Sequence, residues 1–156
     1  MKLIRTTKTR VLFHLGHWEA HLLLEVLNLY PCLPTAHQKL SKASRRPESD
    51  ANQQLLDEAL AEHRAENKKQ LQALLADRRR FAPTETGGRL SLPPAEVEWV
   101  LQVLNDIRVG SWVRLGSPDP TPTKLNETTA PHYRAMEMAG YFEAQLLEAL
   151  RGDHET

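Results

Sequence analysis

The stretch from Pro94 to Leu115 constrains this chain more than any other. Val97, Trp99, Val100, Leu101, Val103, Leu104, Ile107, Val109, Trp112, Val113 and Leu115 follow one another with few polar interruptions. Pro93-Pro94 stands at its start, where helical N–H groups have no intrahelical partner and proline is tolerated. Gly116 and Pro118 mark its end. Apolar residues on more than one side require cover from several neighbours, so the pattern predicts a central helix over about 94–115. Gly110 inside it costs about 1 kcal/mol relative to alanine, which implies that a neighbouring backbone comes close.

The other elements follow from period and punctuation. Arg10-Val11-Leu12-Phe13-His14-Leu15 is rich in strand formers and ends at Gly16, with Leu3 and Ile4 across a polar Thr6–Thr9 stretch, which predicts a small N-terminal β-hairpin. Trp18, Leu22, Leu23, Val26, Leu27 and Tyr30 share one helical face, and Pro31 and Pro34 stop that helix. Residues 35–49 carry no apolar period and are expected to form a mobile loop. A further helix is expected from Ser49 or Asp50, whose short side chains suit an N-cap. Its apolar positions, Leu55, Leu56, Ala59, Leu60, then Leu71, Leu74, Leu75 and Phe81, are separated by a stretch at 62–70 with almost nothing to bury. Residues 50–81 therefore make either one long helix or two that meet near Asn67. The prolines and glycines of 82–93 predict a second mobile loop, and those of 116–130 a third. The last helix should run from Thr128 or Thr129 to about Leu150 and bury Tyr133, Met138, Tyr141, Phe142, Leu146 and Leu150, with 153–156 fraying. The expected fold is mainly α: a four- or five-helix bundle-like domain around the central apolar helix, in one domain spanning 1–156.

Composition narrows the function classes. With Cys32 alone, no internal disulfide and no cysteine-cluster zinc site can form. No apolar run approaches the roughly 20 residues that span a bilayer, and the opening residues lack a signal-peptide core, so a cytoplasmic protein without membrane association is expected. Basic and acidic residues balance at 20 each but are unevenly placed. Residues 1–47 hold Lys2, Arg5, Lys8, Arg10, Lys39, Lys42, Arg45 and Arg46 against Glu19 and Glu25, a net +6. Residues 127–156 hold Glu127, Glu137, Glu143, Glu148, Asp153 and Glu155 against Arg134 and Arg151, a net −4. Such polarity either steers a partner or is satisfied by packing the last helix near the first segment.

Four constellations invite chemistry. His17, His21 and Glu25 lie at successive i, i+4 positions with His14 just before, but no further ligand is identifiable, and a solvated helix face explains them without a metal. Arg78-Arg79-Arg80 follows Lys68 and Lys69; a nucleic acid would contact such a run, while helix-dipole pairing at a C-terminus explains it without one. Asn105, Asp106 and Arg108 interrupt the most apolar helix and must be bonded or paired. They form either a polar clamp, with Asp106 on an arginine and Arg108 on a backbone carbonyl, or a recognition site. Cys32 sits between Pro31 and Pro34 with no adjacent basic group, which favours a buried packing role over a nucleophile. No catalytic residues, cofactor or metal are identified.

Leu104-Asn105-Asp106-Ile107-Arg108, followed by Gly110 and by Arg114-Leu115-Gly116, resembles the signature of an uncharacterised bacterial domain-of-unknown-function family. That resemblance implies a leading strand and helix, a charged middle helix, a late Asn-Asp-Leu-Arg helix and a closing helix like 131–150. It also implies a mostly helical fold, no established enzyme activity, and genes often placed beside the ClpS protease adaptor, some with a regulatory label. It supplies no catalytic residues.

The leading functional expectation is a non-enzymatic cytosolic regulatory or adaptor-like module that binds a protein partner. The alternatives are a nucleic-acid-binding transcriptional regulator using the basic front and Arg78–Arg80, and an enzyme whose site the sequence does not display. Trp18, Trp99 and Trp112 are more large aromatics than a thin helical core hides, so a homodimer is a further expectation.

Overall fold

A computed structural model describes residues 1–33, 47–118 and 125–152. Two strands, β1 (Lys2–Thr6) and β2 (Val11–Gly16), lead into α1 (His17–Leu27). A long helix α2 (Pro47–Ala76) precedes β3 (Phe81–Thr84) and β4 (Gly87–Leu92), and α3 (Pro94–Arg114) and α4 (Ala130–Gly152) complete the chain. Residues 35–46 of the expected loop 35–49 and 119–124 of the expected loop 116–130 fall outside the described residues, as does the tail beyond Gly152. Residues 47–49 already belong to α2, ahead of the expected start at Ser49 or Asp50, because proline is tolerated in a first turn. The helix stops at Ala76, and Phe81, expected in its apolar stripe, opens β3 instead, where pairing with β4 buries it.

The N-terminal hairpin is present, but it is half of a larger unit. All four strands form one antiparallel sheet in the order β1-β2-β4-β3. Residues 82–93, expected to be a loop, supply its other hairpin, and the bundle-like expectation is corrected to four helices packed with a four-stranded sheet. The reason lies in position. Pro83 is on an edge strand, where a missing N–H disturbs no ladder on its open side. Leu90 and Leu92 alternate with Arg89 and Ser91, and both leucines are buried, as one face of a half-covered sheet requires. At Gly88 a Cβ would lie 2.9 Å from that of Ala20 on α1, so the helix rests directly on the strand.

Val11, Phe13 and Leu15 of β2 join Leu90 and Leu92 on the covered face. Above them lie Ala20, Leu23, Val26 and Leu27 of α1 and the buried stripe of α3, Val97, Val100, Val103, Leu104, Ile107, Gly110 and Ser111. The central role expected of α3 is met by one deeply buried face. Trp99 is half-buried, and Trp112 is 36% exposed and donates its indole N–H to the Pro118 carbonyl at 3.1 Å. Trp18, expected on the core face of α1, is 74% exposed.

The most extensive helix pairing is α3 with α4. Its α4 side consists of Ala135, Ala139, Phe142 and Leu146, at spacings of four, three and four. Small residues in the first two positions let the helices come close. Tyr141, expected in this stripe, stands 45% exposed. The 62–70 stretch crosses solvent as part of one continuous helix, α2, whose described residues bury only Leu71 and Leu74 fully in the core, with Leu75 packed against it. Among the described residues, no helix is long and apolar enough to cross a membrane.

Candidate protein-docking face and the polar clamp

The Asn105, Asp106 and Arg108 cluster divides by helical phase. Asp106 turns toward the chain leaving α1, where its Oδ1 accepts the N–H of Cys32 at 2.7 Å and of Leu33 at 3.2 Å. Its Oδ2 lies 3.9 Å from Nη2 of Arg64 on α2, and Arg64 Nη1 donates to the Leu33 carbonyl. Asp106 thus holds a segment that crosses α3 at Gly110, where a Cβ would lie 2.5 Å from the Leu33 nitrogen and 2.7 Å from the Cys32 Cβ. Gly110 therefore admits the close backbone approach expected of it. Asn105 and Arg108 face the other way and are exposed. Arg108 bonds to Asn105 Oδ1 at 3.0 Å and pairs with Glu143 of α4 at 3.3 Å, a carboxylate rather than the backbone carbonyl expected. Burial pushes the Glu143 carboxyl up, and Arg108 only partly offsets it.

Arg78, Arg79 and Arg80 lie beyond α2, which ends at Ala76 with no basic residue in its last turn, so dipole pairing does not account for them. The backbone N–H of Arg79 donates to Asp77 Oδ1, and Arg80 pairs with Asp77 at 2.9 Å and Glu96 at 3.1 Å. Arg78 and Arg79 keep exposed side chains. His17 packs edge-on to Trp18, and Glu25 is taken by Arg134 at 3.5 Å. Among the described residues, no cluster of three or more His, Cys, Asp or Glu has the proximity to hold a metal. Cys32 is buried, and that burial raises its thiol pKa; Asp106 adds to the shift, while Arg114, Ser111 and Lys68 oppose it.

The sequence gives little warning of the face between α1 and α4. Glu19 accepts the Tyr141 hydroxyl at 2.8 Å, and Glu25 pairs with Arg134, so α1 and α4 run antiparallel with these contacts as rungs. At the far end Leu29 and Pro131 line a groove of about 450 Å³ with Ala130, Ala135 and Met138, flanked by Glu25, Glu127 and Arg134. Leu29 is 45% exposed. Arg134 is engaged by Glu25, while Glu127, Glu137 and Glu148 form no ion pair among the described residues. Among the described residues no basic group of the front pairs with an acidic group of the tail: the ion pair joining the two segments there, Glu25 with Arg134, has the opposite polarity. One sequence signal for the groove existed, namely Leu29 lying past the apolar stripe of its helix.

Glu19 anchors the start of the chain. It receives the Met1 ammonium, the Gly16 N–H at 3.0 Å and the Tyr141 hydroxyl. Burial alone would raise its carboxyl, but these donors together hold it below the ordinary glutamate value.

These features define a small mixed domain, four helices against an antiparallel sheet, with an apolar groove flanked by the Glu25–Arg134 pair and by Glu127. The chain belongs to the family described as a domain of unknown function, DUF2017, which matches residues 1–150. Neither a curated protein nor a solved structure matches it.

Proposed function

We propose that this chain is a non-enzymatic, cytosolic regulatory or adaptor-like module whose α1–α4 groove seats an apolar-anchored, basic segment of another protein. The observation that carries this reading is the groove itself: Leu29, Pro131, Ala135 and Met138 form an apolar floor, and its flanking carboxylates exceed the available cations. A helical or extended segment with apolar anchors fits such a groove, and a basic flanking residue would meet Glu127 at its edge, with the exposed Glu137 elsewhere on α4 adding to the negative field. A free, buried thiol at Cys32 accords with a reducing compartment.

The test is capture of partners at low and moderate salt by the wild-type protein, by Leu29→Glu and by Glu127→Lys/Glu137→Lys. These side chains stand at the surface, so the fold should persist. The expected result is a defined protein retained by wild type and lost from both variants, with the double charge variant most affected at low salt. An identical set captured by all three, or self-association alone, would remove the reading. DNA binding lost in Arg78→Ala/Arg79→Ala would replace it with the nucleic-acid alternative, because those two arginines form no ion pair among the described residues.

A further inference from the structure

A second cavity, separate from the α1–α4 groove, lies between α2 and α3. It has a volume of about 170 Å³, and its walls include Tyr30, Leu60, Trp99 and Val103. That is well below the roughly 300–1,000 Å³ of sites for drug-sized ligands and close to the roughly 150 Å³ cavity that holds benzene in another protein. A ligand of only a few heavy atoms would fill it.

The polar groups around it are mostly donors. Trp99 donates to Asn67 Oδ1 at 3.3 Å, and Asn67 donates to the Tyr30 hydroxyl at 3.1 Å. The Tyr30 oxygen is thereby used as an acceptor, and its own proton has no acceptor among the described residues. Arg64 places one N–H on the Leu33 carbonyl and pairs with Asp106 at 3.9 Å, beyond hydrogen-bond length, so its further guanidinium N–H groups have no hydrogen-bond acceptor among the described residues. His63 and Gln102 also line the space and form no hydrogen bond among the described residues. Asp106, the carboxylate in the wall, already has Oδ1 occupied by two backbone N–H groups. His63 and Gln102 are exposed, but the buried Tyr30 hydroxyl and the largely covered Arg64 favour an acceptor, and a guanidinium best matches a planar anionic one.

We infer that the α2–α3 cavity is a binding site for a compact carboxylate, held by Arg64 and the Tyr30 hydroxyl with its apolar part against Trp99. Two sources share that chemistry: a small free organic acid, and a glutamate side chain presented by a polypeptide.

The test follows the Trp99 indole N–H signal, assigned with Trp99→Phe, in NMR titrations of the full chain at constant ionic strength. Acetate is one probe, acetamide its neutral counterpart, and a short peptide with one glutamate represents the polypeptide source. Saturable shifts with acetate or with the peptide are expected, and the tighter of the two identifies the source. Acetamide should bind at least about tenfold more weakly, and Arg64→Gln should weaken the carboxylate by about tenfold or more. Because Arg64 also braces Leu33, Tyr30→Phe is the second variant. It removes only the hydroxyl and should weaken binding several-fold while the protein stays folded. Linear, unsaturable shifts with both probes, equal responses to acetate and acetamide, or wild-type affinity in folded Tyr30→Phe would overturn the inference.

Discussion

The carboxylate of Asp106, in the middle of α3, accepts the backbone N–H of Cys32 from a segment 74 residues earlier in the chain. With the Leu33 N–H on the same oxygen, it serves as the polar anchor for chain that leaves α1 without continuing a helix. Removing the acceptor strands two donors at a half-buried position, and stranded donors are more costly than a lost bond alone. Asp106→Ala is therefore expected to lower unfolding free energy by about 2–4 kcal/mol. Asp106→Asn keeps an oxygen and should lose less. Urea unfolding at neutral pH measures both.

Glycines 110 and 140 should respond to alanine with opposite signs. At Gly110 the added methyl runs into the Cys32–Leu33 backbone, which cannot yield as a side chain does, and a loss of about 2 kcal/mol or more is expected. At Gly140, within α4, the methyl would lie 3.6 Å from Arg108 Cδ, an ordinary contact. The helical preference for alanine then dominates, for a gain of about 0.5–1 kcal/mol. Thermal unfolding of the two variants beside wild type decides both signs.

Two carboxyls make opposite contributions to the pH dependence of stability. Glu19 has a folded pKa below its unfolded value, so its contribution is present above the unfolded pKa and is lost as pH falls through the folded one. Glu143 has a raised folded pKa, so its protonated form favours the folded state, and its contribution is lost as pH rises through that pKa. The gap between wild type and Glu19→Gln should narrow on acidification from about pH 6 to about pH 3.5. Glu143→Gln should compare most favourably with wild type at the upper end of that range. Denaturant unfolding across the range reads both trends.

Asn67 bridges the Trp99 indole and the Tyr30 hydroxyl from a helix that otherwise meets the core mainly through Leu71 and Leu74. Asn67→Ala leaves both ring groups without their partner and should lower stability by about 1–3 kcal/mol. A concurrent change in tryptophan emission at a denaturant concentration where the variant is still folded locates the effect at Trp99. An unchanged spectrum and midpoint would show that the bridge carries no load.

Much of the fold was legible where a local pattern and its punctuation agreed. Pro94 opened α3, Pro31 lies just beyond the end of α1, and the N-terminal strands followed from residue type. The β3–β4 hairpin was obscured because Pro83, Gly87 and Gly88 also signal a loop, and only pairing with β2 makes their positions strand positions. The alternation of Leu90 and Leu92 was the usable cue. In α4 the bulky Phe142 and Leu146 are buried as their spacing predicts, but Ala135 and Ala139 take the other buried places because the approach of α3 leaves room for little more.

The candidate sites were legible only in part. Asp106 stood out as a polar residue in an apolar helix, and its expected arginine partner is Arg64. The groove between α1 and α4 and the cavity beside Tyr30 had no comparable signature, since each draws residues from distant segments whose local patterns are ordinary.

Taken alone, the order of residues determined where α3 begins, that Gly110 would face a close neighbour, and that one cysteine left no covalent staple, while the ends of α1 and α2 fell elsewhere than the local pattern placed them. Turn chemistry and apolar period act over a few residues, so they are present in the unfolded chain too. Tertiary structure decided that two hairpins join in one sheet, that Trp18 and Tyr141 stand outward, and that Asp106 serves the backbone of Cys32 while its neighbour Arg108 serves Glu143. Those outcomes depend on which surfaces meet once the chain closes on itself, and burial, the quantity that selects among them, exists only after it has closed.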